Sequence, residues 1–162
     1  MPTNPPPADR STLHRVTLHL ARCAAFPQGS DRHGYEMLLP LRADGHPDPA
    51  ILHGHTDQCR VRRFWAGEPD RIGLLRHRAG GASGAHWVVD YDENRADDDE
   101  DGYRFDNHAF IPGEYVTMRH AREDHTFRVA AVERPVGRAW RCGPPGAEFA
   151  LTIRRGNETL RL

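Results

Sequence analysis

The chain has 162 residues, 22 basic against 23 acidic side chains, and a formal net charge of −1. That balance argues against a dedicated nucleic-acid binder, which carries a marked basic excess, and the length suits one domain with one hydrophobic core. No apolar stretch approaches the roughly 20 residues that span a bilayer, and residues 1–10 hold four prolines and no apolar signal core.

Residues 1–10 therefore read as a disordered Pro-rich tail and residues 11–162 as a single domain. From there the dominant period is two. Val16, Leu18 and Leu20 alternate with Thr17 and His19, and Tyr35, Met37, Leu39 and Leu41 alternate with Glu36, Leu38 and Pro40. Cys59, Val61 and Trp65 share one parity of a run that Arg60 and Arg62 interrupt. Ile72 and Leu75 in Pro69–Arg78 stand at helical spacing, but Gly73 and the Ile72-x-Leu74 alternation favour a strand.

Further strands are predicted at Trp87-x-Val89-x-Tyr91, Tyr103-x-Phe105, Val116-x-Met118, Phe127-x-Val129-x-Ala131 and Phe149-x-Leu151-x-Ile153. Alternation of this kind puts one side of each strand on a core and the other in water. Gly, Pro and Asp clusters punctuate the runs, among them residues 26–30, 44–49, 80–84, 112–113 and 143–146. The segment 110–132 reads as one hairpin, with Pro112 and Gly113 opening the outgoing strand and residues 120–124 making the turn. The fold class is all-β: a small antiparallel β-barrel with additional hairpins and little or no helix.

All 22 basic residues are Arg and none is Lys, while Ala, Gly and Pro are abundant. This reads as the codon usage of a GC-rich bacterial genome, and it makes a surface of planar, bidentate donors. Cys23, Cys59 and Cys142 are odd in number and lack Cys-x-x-Cys spacing, so a reducing cytoplasm fits better than a disulfide framework.

Residues 90–101 hold eight acids and one Arg, a net −7, so the remaining 150 residues carry +6. Within them Asp97, Asp99, Asp101 and Gly102 match the first half of a calcium-binding EF-hand loop. Its second half is missing, because the position of the bidentate Glu is His108. The plain reading is a solvated hairpin tip whose like charges repel; the alternatives are a divalent ion on the three Asp side chains, or docking onto Arg residues.

His53 and His55 form a His-x-His pair, which on a strand would project to one face. The pair resembles that of the cupin barrels, which hold a metal with a later Glu and a third His. That resemblance would imply a metal-dependent small-molecule enzyme. This chain departs from the pattern: Asp57 or Gln58 stands where the Glu is expected, and the third ligand would have to be His108, His120 or His125.

Nucleophile and nucleotide motifs are absent: the chain has no Gly-x-Ser-x-Gly elbow, GxGxxG run or phosphate loop. Arg60-Val-Arg-Arg-Phe-Trp65 sets aromatics beside guanidiniums and reads first as a strand whose Arg stems cover Phe64 and Trp65. Tyr or Trp side chains near an open barrel end would be the place for a small ligand. The expectation is a non-catalytic binding or interaction module for a protein or small-molecule ligand. Its alternatives are the cupin-like enzyme using His53 and His55, and an assembly protein using the acidic loop.

Overall fold

Apolar residues at every second position build strands, and here eight of them close into a barrel. The computed structural model describes residues 12–55, 58–78, 86–91, 100–102, 105–120 and 123–135. The strands are β1 (Thr12–Leu20), β2 (Ser30–Leu41), β3 (Arg60–Trp65), β4 (Arg71–Arg78), β5 (His86–Asp90), β6 (Glu100–Gly102), β7 (Tyr115–His120) and β8 (Glu123–Glu133). Each pairs antiparallel with its sequence neighbours, and β8 returns to β1 through Arg15↔Glu133 to Leu20↔Phe127. The order is a plain up-and-down meander, closed on itself.

Inward parity follows the alternation. Val16, Leu18, Tyr35, Met37, Leu39, Val61, Leu75, Trp87, Val89, Val116, Met118, Phe127 and Val129 are all buried in one continuous core. An eight-stranded barrel is just wide enough for its own side chains to fill it. Segment 69–78 is strand, as the alternation favours. No helix among the described residues is long and apolar enough to cross a membrane.

Call the mouth at the Thr12 end of β1 the lower and that at the Leu20 end the upper. A one-and-a-half-turn helix, α1 (Pro49–Gly54), covers the lower mouth. Asp48 caps it by accepting from the Ala50 and Ile51 backbone N–H groups at 3.0 and 3.4 Å, and Pro49 stands in the first turn. Its Leu52 is fully buried against the core. The second cover is the β6–β7 connection, where Phe105 packs between Trp87 and Phe110, with ring centroids 6.2 and 5.2 Å away.

This corrects one expectation. Phe105 belongs to a single 3-10 turn, Phe105–Asn107, and the strand is Glu100–Gly102 instead. Turning there lets the Phe105 ring drop into the mouth rather than lie along the wall. At the hairpin of β7 and β8 the strands run further than expected, with His120 facing Glu123. The expected strand at 149–153, the tail at 1–10 and Cys142 lie outside the described residues.

Candidate functional site

Two places gather polar side chains: the upper mouth and the outer wall beside it. At the mouth, a register shift between His19 and Leu20 gives β2 extra residues before the pairing resumes at Ser30. His33, on the same parity as Tyr35 and Met37, points inward and is 7% exposed. Its Nδ1 shares a 2.7 Å hydrogen bond with Ser30 Oγ. Phe26 lies against one side of the ring and Trp65 meets it edge-on, each 4.6 Å away between centroids.

Arg63 also points inward, where its guanidinium lies 4.7 Å from the Trp65 ring and donates to Glu68 at 2.9 Å. Burial, then the charges of Arg32 and Arg63, holds the His33 pKa below its ordinary 6.5, with Glu68 pulling the other way. These groups fill the mouth. Trp65 is therefore packed with His33 and Arg63 at this mouth.

On the wall, a groove of ≈ 780 Å³ runs between the β1–β2 connection and the outer faces of β1, β7 and β8. Its polar lining comes from His19, Arg22, Gln28, Ser30, Tyr115 and Arg128, with Asp31 as the one acid. The connection is held by tight turns: Cys23 and Phe26 exchange backbone hydrogen bonds at 3.0 and 3.1 Å, and Gly29 N–H donates to the Phe26 carbonyl at 2.9 Å. On the opposite side, Gly113 adopts φ +99°, a conformation glycine takes without strain. The Arg128 guanidinium passes 3.9 Å from where a Cβ would stand there.

Outward guanidiniums of the barrel fall into paired and unpaired sets. Three are paired: Arg62 reaches Glu36 at 2.7 Å and Asp70 at 2.8 Å, Arg76 reaches Asp90 at 2.8 Å, and Arg119 reaches Asp124 at 2.7 Å, whereas exposed Arg32 and Arg60 make no ion pair with a described residue. The last pairing holds Asp124 below the ordinary carboxylate range through its hydrogen bond from Arg119. Arg22 and Arg128 make no ion pair with any described residue. Arg22 and Arg128 thus face the groove with their donors uncommitted.

The residues singled out from sequence fall elsewhere. His53 lies in the last turn of α1 and His55 is its non-helical C-cap, so neither stands on a strand and the one-face geometry of a strand pair does not hold. His53 does meet a histidine, His77 on β4, with ring centroids 5.7 Å apart. His108 sits in the lower connection, whereas His120 and His125 stand at the upper end of the barrel, His125 with its ring 5.8 Å from Trp65. Among the described residues no three His, Cys, Asp or Glu side chains converge as a metal-binding group.

Asp97 and Asp99 lie outside the described residues, and Asp101 is in β6, facing Val88 and Arg119 in the register. The Arg-rich run divides by parity: Arg62 is outward between its two acids, Arg63 inward. The groove residues were missed because they come from β1, its hairpin, β7 and β8, far apart in sequence. No local motif joins His19 to Arg128; only barrel closure does.

The structure thus defines a class by fold and site: an eight-stranded up-and-down β-barrel, plugged at both mouths, with a cationic groove on its outer wall. Comparison with known proteins finds no family model, no curated protein and no solved structure that matches the chain.

Proposed function

We propose that this protein is a non-catalytic binding module whose outer-wall groove holds an anionic partner. The observation that carries the reading is that Arg22 and Arg128, neither in an ion pair with a described residue, line one groove together; exposed Arg32 and Arg60 are likewise in none but are not part of its lining. A guanidinium offers planar bidentate donors that match carboxylate and phosphate. The groove's size falls in the range of roughly 300–1,000 Å³ typical of small-molecule sites. Cys23 and Cys59 as free thiols suit a reducing, cytoplasmic setting.

The test is a backbone-amide NMR titration with citrate, using glycerol as the uncharged control. Citrate is expected to shift the amides of His19, Arg22, Ser30, Tyr115 and Arg128, glycerol to shift none. In the double variant Arg22→Glu/Arg128→Glu the citrate shifts should vanish while the rest of the spectrum stays in place. Citrate shifts centred on another face, or unchanged in the double variant, would remove the groove from the proposal.

A further inference from the structure

The groove's floor has an order that its composition alone does not convey. On β7 and β8 the register sets Tyr115 opposite Arg128, and on β8 and β1 it sets Arg128 opposite His19. Directly opposed residues of an antiparallel pair stand about 4.5–5.5 Å apart. All three point outward, because their chain neighbours Val116, Phe127, Val129, Leu18 and Leu20 point into the core. A phenol, a guanidinium and an imidazole therefore stand side by side across three strands.

The row is braced at one end. Gly34 faces His19, and Phe64 faces Gly34 from the next strand. A Cβ on Gly34 would lie 1.9 Å from the Leu18 carbonyl oxygen and 3.0 Å from the Phe64 ring. Without one, Phe64 crosses the gap and meets His19 edge-on, ring centroids 6.3 Å apart. At the other end Tyr115 is 55% exposed, a large ring that adds nothing to the core. Arg22 faces the row from the hairpin across the groove.

An anion needs only the guanidiniums; a flat ring needs only the Tyr115 face. Their adjacency suits a ligand that has both. Resting on the reading of the groove as an anion-binding site, we infer that its ligand is a flat aromatic ring carrying a phosphate or carboxylate. The ring stacks on Tyr115, and the anionic group takes the fork of Arg128, with Arg22 opposite. Aromatic stacking tolerates many rings, since each has a π face, whereas the Arg fork selects planar or tetrahedral oxyanions.

Isothermal titration with adenosine monophosphate, adenosine and inorganic phosphate tests this on the full chain. Adenosine monophosphate is expected to bind at least about tenfold tighter than either fragment. Tyr115→Ala should lower its affinity to that of phosphate, and Arg128→Ala to that of adenosine, with far-ultraviolet circular dichroism unchanged in both. Arg128→Lys, which keeps charge but loses the fork, should recover only part of the loss. Equal affinity for adenosine monophosphate and phosphate, with Tyr115→Ala silent, would overturn the aromatic part while leaving the citrate result standing. No binding of adenosine monophosphate to a protein that binds citrate would do the same.

Discussion

The barrel is closed twice, by two different chemistries. The lower mouth is a mainly apolar plug: Leu52 from α1, Trp87 from β5, and Phe105 and Phe110 from the β6–β7 connection, all 0–1% exposed, with the His77 ring 5.0 Å from Trp87 at its edge. The upper mouth is a polar plug: His33 on Ser30, Arg63 on Glu68 and Trp65, with Phe26 alongside. The first is held mainly by removal of area from water, which is non-directional. The second is held by donors and acceptors that must be aligned and correctly protonated. One end of the barrel is thus a matter of volume and the other a matter of alignment and charge.

The widest separation should come from Trp87→Ala. Emptying the lower plug is expected to cost about 3–5 kcal/mol in urea or guanidinium unfolding. A loss under about 1 kcal/mol would mean that the plug collapses around the gap, and the contrast would fail at its stronger end.

Arg63→Met should cost less. The Met side chain replaces the apolar stem, and Glu68, whose side chain is 52% exposed, returns to water. The loss is then the pairing and the contact with Trp65, about 1 kcal/mol. A shift of the denaturation midpoint as large as that of Trp87→Ala would make the upper plug the main closure and reverse the comparison.

The smallest effect is a slope. His33 has a folded pKa below its unfolded value of 6.5, so in the window between the two the unfolded chain binds more protons. Stability must therefore rise with pH there, be complete above the unfolded pKa, and be lost as pH falls towards the folded pKa. In His33→Gln this part of the slope should vanish, while Trp87→Ala should keep it. Parallel stability curves for wild type and His33→Gln from about pH 8 to about pH 5 would show that the upper plug does not titrate through this ring.

Much of the barrel was legible because period two is a local property. Val16, Leu18, Tyr35, Met37, Val61, Trp87, Val89, Phe127 and Val129 point where the alternation sends them. Phe105 misled because a buried aromatic two residues from Tyr103 looks the same in a strand and in a turn that drops a ring into a mouth. The helix signals Asp48 and Pro49 were present, but a six-residue helix has too few positions to show a stripe. Arg63 broke the pattern for a physical reason: its inward charge is tolerated only because Glu68 and Trp65 arrive beside it. The wall groove was invisible because His19 and Arg128 are neighbours only once β8 pairs with β1. Register between distant strands is not written in either strand alone.

That last pairing also decides how a partner can approach. An open sheet offers a row of unpaired backbone donors and acceptors, and an extended peptide can join it as one more strand. Here β1 and β8 spend theirs on each other, and the meander leaves no terminal strand to lend. The thinnest seam lies between the three-residue β6 and the six-residue β7, which the register joins at Asp101↔Arg119. Among the described strands, then, the β1–β8 edge is not open to backbone pairing, and contacts on that wall fall to side chains. Outward side chains there can change one substitution at a time, without disturbing the ladder beneath.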